Sequence, residues 1–561
     1  MTAPAHDPAA RSVRTPPPGR PPLGARIMRA TWRRLPAGRY DVGWEPGLSA
    51  PAADGSPLIT DHYFPRADGD FPTLLVRSPY GRGLPWSPLY GVLFAEQGFH
   101  VVLQSCRGTG GSGGAFDLWR NEAADGRAAV SWLRGRSWFD GRLGTIGPSY
   151  LGYVQWALAE DPPPELKAMV VQVGLHDPYA LFYADGALRL ENALAVGSGL
   201  TYQHQGVGPL LRATLRLRRR LRAVTTARPL RGAFPSALGG EVPWLDEVLA
   251  HPDAEDPYWR GASLTPVAER LTVPTALITG RHDVLGGQTV GQYRRLRAAG
   301  CETALLVGPW THTSALGKGW PEVFTESLAW LRAHLCGDPS GLRPTRVRVH
   351  VGGEDEWRDL DDWPPALADA GEWFPTAEGH LTRVAPAEST PLASFRYDPD
   401  DPTPSLGGPL LSPGAGARDN GTLERRGDVL TFTGPPLTEP LDVLGPVSAR
   451  LSVSTDTGHA DVFTRLCDVD PRGRSVNICD GLGRIRAVGD ATSRITVPMG
   501  STAHRFAAGH RIRWQISGGA HPRYARNPGT GEPHADATTF VPVRITLHAD
   551  SALTTPAVRR V

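Results

Sequence analysis

Residues 142–159 read Arg-Leu-Gly-Thr-Ile-Gly-Pro-Ser-Tyr-Leu-Gly-Tyr-Val-Gln-Trp-Ala-Leu-Ala, and this run leaves few folds open to the chain. A short apolar strand ends at Gly147-Pro148, the backbone turns tightly at Ser149, and an apolar helix follows at once. A strand that feeds directly into a helix implies a mostly parallel sheet covered by helices. The turn lifts the serine above the sheet edge, with the positive end of the helix beneath it. Ser149 is the candidate nucleophile.

A strict search for G-x-S-x-G finds a different serine, in Gly110-Gly-Ser-Gly-Gly114, centred on Ser112. The helix requirement separates the two. Gly-Ser-Gly-Gly is a poor helix start, since each glycine costs about 1 kcal/mol relative to alanine. Tyr150-Leu-Gly-Tyr-Val-Gln-Trp-Ala-Leu-Ala159 is a plausible helix, with a small residue one turn in for close packing. The glycines around Ser112 read as a loop at a strand end.

A serine hydroxyl needs a base, and the base needs a carboxylate to orient it. In an α/β-hydrolase the chain order is Ser, acid, His. Leu277-Ile-Thr-Gly-Arg-His-Asp283 places Asp283 after one strand, and Leu305-Leu-Val-Gly-Pro-Trp-Thr-His312 places His312 after the next. Either residue alone would read as a polar loop group; the pair, in order and after successive strands, reads as catalytic. His282 competes as base, but it adjoins Asp283 in sequence, which makes that acid–base geometry difficult. His62, His100, His176 and His204 have no comparable context. The backbone N–H of Tyr150 is one expected donor to the oxyanion. The second comes from a loop after an early strand, where Arg77-Ser-Pro-Tyr-Gly-Arg-Gly83 offers the hydroxyl of Tyr80; a packed aromatic is the other reading of that position.

The remaining chain divides by texture. At 561 residues it exceeds one compact core. Residues 1–27, rich in Pro, Ala and Arg, read as a disordered tail without the apolar stretch of a secretory signal. Residues 28–176 carry alternating strands and helices, including strands over 56–64, 71–77, 99–104 and 168–173 and helices over 86–97 and 122–133. Residues 177–262 are mainly helical and are expected to form a cap. Strands over 273–279 and 303–308 then resume the sheet, closing the hydrolase core at 263–344. From Thr345 to the C-terminus, short alternating runs among Gly, Pro and Asp predict a β-sandwich.

Composition narrows the function. A hydrophobic fraction of 40% with 21% charged residues is ordinary for a globular protein, and a net charge of +2 argues against a nucleic-acid binder. No apolar run is long enough to span a membrane. Five scattered cysteines predict neither a disulfide framework nor a zinc site and point to a reducing compartment, hence the cytoplasm. No cofactor or metal is implied, and a homo-oligomer is compatible with the composition.

These pieces resemble the cocaine esterase / X-Pro dipeptidyl-peptidase family of serine hydrolases. The matching segments are Arg77-Ser-Pro-Tyr80, Gln104-Ser-Cys-Arg-Gly-Thr-Gly-Gly-Ser-Gly-Gly-Ala-Phe116, Gly147-Pro-Ser-Tyr-Leu-Gly152, Gly280-Arg-His-Asp283, Gly308-Pro-Trp-Thr-His312 and, near the end, Gly509-His-Arg-Ile-Arg-Trp-Gln-Ile-Ser517 with Pro522-Arg-Tyr-Ala-Arg-Asn-Pro528. The resemblance implies an α/β-hydrolase core with an inserted helical cap and a C-terminal jelly roll. It also implies an elbow whose last glycine stands one place later, as Gly152 does, and a tyrosine at position 80 that donates to the oxyanion.

The implied substrate is a small ester or a short peptide. A carboxylic ester is the first choice and an X-Pro dipeptide or α-amino acid ester the second; a non-catalytic binder that uses the jelly roll is the reading from another class. Leu151 in the elbow favours the plain esterase version. The cap acids Asp177, Asp185, Glu191, Asp246 and Glu247 could grip an α-ammonium group, but no spacing singles them out. Phe182, Tyr183, Trp244, Trp259, Leu285 and Trp310 are candidates for an apolar acyl pocket or for core. The basic run Leu211 to Arg222 reads as a solvated helix, with attraction of anionic substrates or a membrane surface as the alternative.

Overall fold

A computed structural model describes residues 19–31, 34–202, 222–366, 369–487 and 491–557. Strands Val42–Pro51 (β1), Pro57–Pro65 (β2), Thr73–Ser78 (β3), His100–Ser105 (β4), Leu143–Pro148 (β5) and Leu166–Gln172 (β6) form the first half of a sheet. A two-stranded hairpin, Tyr183–Ala184 (β7) and Ala187–Leu188 (β8), belongs to the cap. Strands Thr275–His282 (β9), Thr303–Thr311 (β10), Val347–Val351 (β11) and Glu356–Leu360 (β12) complete the sheet. Its order is β1-β2-β4-β3-β5-β6-β9-β10-β11-β12. Neighbours from β4 to β11 are parallel, while β1, β2 and β12 pair antiparallel at the edges.

Every residue of β3, β4 and β5 is buried, which fits a parallel sheet covered on both faces. Alternate side chains go to two cores. Leu75, Val102, Leu277 and Leu305 face helices Glu122–Arg134, Tyr150–Leu158 and Gly286–Ala298. Leu74, Val76, Leu103, Ile278 and Leu306 face helix Trp320–Cys336 and the helical turns over 87–95.

The cap lies between β6 and β9. Among its described residues are helices Pro178–Phe182, Leu190–Tyr202, Phe234–Leu238 and Pro243–Ala250. Most of the basic run Leu211 to Arg222, and His204, lie outside the described residues.

The C-terminal region is two packed sheets. Strands Asp369–Pro375 (β13), Leu381–Thr382 (β14), Pro391–Tyr397 (β15), Val429–Thr433 (β16), Leu441–Thr455 (β17), His459–Val469 (β18), Ser475–Arg486 (β19), Ser493–Phe506 (β20), Arg511–Ser517 (β21), Val543–His548 (β22) and Ala552–Ala557 (β23) contribute. One sheet runs β14-β13-β23-β17-β22-β15 with β20 on β17, and the other β16-β21-β18-β19. Strand β17 shows how the core is filled: its inward residues Val447, Ala449, Leu451 and Val453 join Val462, Leu466 and Trp514 of the facing sheet.

Two expectations are corrected. Thr345 to Val349, read as the start of the sandwich, instead supplies β11, which pairs parallel with β10; the hydrolase sheet therefore continues to Leu360. An alternating Val-Arg-Val-His-Val run fits a strand near the end of this sheet as well as a sandwich strand, so pattern alone did not separate them. The tail read over 1–27 contains order: Gly19 bridges to Trp44, and Leu23–Thr31 is a helix with Ala25 buried. Strand β4 inserts between β2 and β3, the strands read over 56–64 and 71–77.

Candidate active site

The turn after β5 has the backbone of a nucleophile elbow. Ser149 sits at φ 57° and ψ −120°, a region that L-residues rarely occupy. Its N–H donates to the carbonyls of Gln172 and Val173 at 3.0 and 3.2 Å, which fixes the turn to the end of β6. Two glycines make the bend sterically feasible. A Cβ on Gly147, itself at φ 154°, would fall 2.5 Å from Leu151 Cβ, and one on Gly152 would fall 2.9 Å from Gly174 Cα.

The hydroxyl of Tyr80 faces the Ser149 side chain and the N–H of Tyr150. Burial pushes the Tyr80 phenol above its usual range, with these two neighbours pulling it partly back, so it remains a protonated donor. Trp86 stacks on its ring at 5.5 Å between centroids, and Ser78 Oγ accepts its backbone N–H at 3.1 Å. Tyr150 is held from behind: its hydroxyl donates to Glu122 at 3.1 Å and accepts the N–H of Trp119 at 2.9 Å. Glu122 in turn pairs with the buried Arg77 at 2.9 Å. Sequence reading missed Glu122 and Trp119. Glu122 carries a legible signal as a carboxylate opening a helix, but Trp119, at φ 56°, has none in its residue type.

Asp283 and His312 meet as expected. Asp283 Oδ1 accepts from His312 Nδ1 at 2.7 Å and from the N–H of Leu285 at 3.1 Å, and Oδ2 accepts the Thr279 hydroxyl at 2.7 Å. The Asp283 side chain is wholly buried and His312 nearly so. A carboxylate can only accept, so the Nδ1 proton is fixed and Nε2 is left with its lone pair. A bulge after Gly308 brings Thr311 opposite His282 and turns the end of β10. Thr311 and Ser314 then lock the loop through mutual hydrogen bonds at 2.9 and 3.3 Å. Among the described residues no hydrogen bond joins His312 Nε2 to Ser149 Oγ; the Ser149 side chain lies beside the Tyr80 hydroxyl.

The competing residues sit elsewhere. Ser112 Oγ is committed to backbone, accepting from Ile59 N–H and donating to the Ser105 carbonyl, both at 2.9 Å. His282 is buried against the jelly roll, with its pKa depressed to about 4 mainly by desolvation. Five of the six pocket candidates lie on the cap side of the sheet. Phe182, Trp244, Trp259 and Trp119 form a linked aromatic wall at centroid spacings of 6.0 to 6.2 Å. Tyr183 lines a cavity of about 710 Å³ that also reaches Asp283, and Leu285 packs into the same core. Trp310 is not brought to them; it packs between Gly308 and Gly319 on the other face of the sheet.

Of the cap acids, Asp177 caps a helix through the N–H of Tyr179. Asp185 is held by the N–H of Arg484 and the side chain of Arg486, and Glu247 faces His251 at 3.7 Å.

Comparison with known proteins places this geometry. Residues 54–314 match the model of the X-Pro dipeptidyl-peptidase (S15 family), and residues 341–555 match that of the X-Pro dipeptidyl-peptidase C-terminal non-catalytic domain. The cocaine esterase of Rhodococcus sp. (strain MB1 Bresler) is 33% identical over 542 residues, covering 88% of this chain and 93% of that protein. The chain belongs to the cocaine esterase / X-Pro dipeptidyl-peptidase family. As a family member it is a serine hydrolase acting on ester or amide bonds. Two solved structures share the family fold. An α-amino acid ester hydrolase superposes with a TM-score of 0.79 at 21% identity, covering 93% of this chain and 98% of that one. An aminopeptidase from a marine sediment archaeon, Thaumarchaeota archaeon, gives 0.77 at 22% identity over 93% and 97%.

Proposed function

We propose that Ser149, His312 and Asp283 are the catalytic triad, that Tyr80 and the Tyr150 N–H form the oxyanion hole, and that the substrate is a carboxylic ester. The observation that carries this reading is the strained Ser149 turn, with the Tyr80 hydroxyl facing both the Ser149 side chain and the Tyr150 N–H. In the reactive arrangement Ser149 Oγ donates to His312 Nε2, and the Tyr80 hydroxyl and the Tyr150 N–H turn to the substrate oxygen. His312 takes the serine proton as the acyl bond is attacked, and Asp283 stabilises the imidazolium that results. The developing negative charge meets the Tyr80 hydroxyl and the Tyr150 N–H; collapse breaks the ester C–O bond, His312 gives its proton to the departing alcohol, and water, deprotonated by His312, then cleaves the acyl-enzyme.

The ester preference rests on the cap. An X-Pro dipeptide or an α-amino ester presents a free ammonium group, which wants an uncommitted carboxylate. Asp177 and Asp185 are hydrogen-bonded within the protein and Glu247 is exposed, whereas the wall of Phe182, Trp244 and Trp259 is apolar. The five described cysteines are all free, which supports a cytoplasmic setting. Among the described residues no helix is long and apolar enough to cross a membrane.

A panel of p-nitrophenyl acetate, butyrate and benzoate against Gly-Pro-p-nitroanilide tests the substrate class. The esters are expected to give burst release and the higher kcat/KM. A higher kcat/KM for the dipeptide anilide would transfer the assignment to the peptidase branch.

A further inference from the structure

Where the end of β9 meets the jelly roll there is a second cavity, of about 260 Å³, apart from the elbow. Arg281 and His282 enter it from the hydrolase core; Asp468, Arg474, His504 and His510 enter it from the sandwich. The cavity exists because the two domains are pinned beside it. Gly352 N–H donates to the Ala503 carbonyl at 2.9 Å, and Arg505 N–H donates to the Gly352 carbonyl at 2.8 Å. A Cβ on Gly352 would fall 1.8 Å from Arg281 Nη1, so the guanidinium occupies the space that a glycine leaves at this seam.

Arg281, half-buried, differs from the buried arginines Arg77, Arg465 and Arg523, which face carboxylates. Arg77 faces Glu122, and Arg465 and Arg523 share Asp480. Arg281 makes no ion pair or hydrogen bond among the described residues, and its Nε is fully enclosed without an acceptor. His282 Nδ1 is likewise enclosed and unpartnered. The carboxylates at the cavity are already taken. Asp468 accepts from His504 at 2.9 Å and from His510 at 2.8 Å, and Asp470 closes a turn by accepting the N–H groups of Arg472 and Arg474 at 2.8 and 2.9 Å. Asp355, the nearest other acid to act on Arg281, is almost fully exposed. A guanidinium withdrawn from water without a counter-charge is costly. The protein thus presents a planar, permanently charged fork to a void with room for a small ligand.

We propose that this cavity binds a small oxyanion, a carboxylate or a phosphate, held by Arg281 with Arg474 at its mouth. The guanidinium geometry matches two oxygens of either group. An unpaired guanidinium inside the cavity with a second, exposed one at its mouth favours an anion over a neutral molecule. Because Asp283 is two residues beyond Arg281, the site adjoins the loop that carries the proposed catalytic acid.

Isothermal titration of the full chain with inorganic phosphate, and separately with benzoate, tests this at an ionic strength held constant with sodium chloride. At least one anion is expected to bind saturably at one site per chain; which one does distinguishes the source. R281Q should weaken that binding by at least about tenfold and R474Q by a few-fold, with fluorophosphonate labelling reporting that each variant is folded. The absence of saturable binding by either anion, or undiminished affinity in R281Q, would overturn the proposal. Should R281Q not fold, undiminished affinity in R474Q would do so.

Discussion

At the scale of single residues, the site depends on where protons and lone pairs are placed. Tyr80 was legible in sequence only by its position after an early strand, since nothing in its residue type separates a donor from a packed aromatic. Its three-dimensional setting supports the donor role, because burial keeps the phenol protonated and Ser149 and Tyr150 face its oxygen. Tyr80→Phe keeps the ring stacked on Trp86 and removes one donor. The expected result is a fall in kcat on the order of 10²-fold with little change in KM, read from steady-state ester hydrolysis. Unchanged kcat would return Tyr80 to a packing role. Asp283 and His312 were legible because residue type, order and strand context agreed. Trp119 and Glu122 were not, since the contacts that matter are made through a backbone N–H and across a helix start.

At the scale of elements, the elbow works because a helix is pressed against a strand end. Gly152 approaches Gly174 so closely that an added methyl group lies 2.9 Å from backbone and 3.1 Å from Val171 Cγ1. Backbone cannot yield as a flexible side chain does. Gly152→Ala should therefore cost about 1–3 kcal/mol of stability by displacing helix Tyr150–Leu158. It should also lower kcat, because the Tyr150 N–H moves with the helix. Urea denaturation together with ester kinetics checks both effects, and a variant with parental stability and rate would show that the contact is not tight. The strand–turn–helix pattern made this element readable from sequence. The boundary between the domains was harder: β11 carries an alternating pattern that either domain could use, and only its parallel pairing with Leu305, Leu306 and Val307 decides.

At the scale of the molecule, three parts are joined by polar contacts that no local pattern announces. Arg484 and Arg486 of the jelly roll hold Asp185 and Gly186 in the cap hairpin, and Arg231 of the cap holds Asp536. These charges are far apart in sequence and look like ordinary surface residues there. Burial of histidines gives the whole fold a pH dependence. His100, His176 and His534 each have a pKa lowered to about 3, chiefly by desolvation. The unfolded chain binds these protons near pH 6.5 and the folded one does not, so their contribution is complete above that value. It is lost as pH falls toward 3. Each such group should cost the fold about 2 kcal/mol between pH 7 and pH 5. The urea midpoint is expected to drop over that range, with a smaller drop in His176→Gln; a flat profile would mean these rings are hydrated in the folded protein.

The assignment of Ser149 as nucleophile is tested most directly by labelling the protein with a fluorophosphonate and locating the adduct by peptide mass spectrometry. The adduct is expected on Ser149 alone, with none formed in Ser149→Ala. A label on Ser112 or any other serine, or labelling that persists in Ser149→Ala, would contradict it.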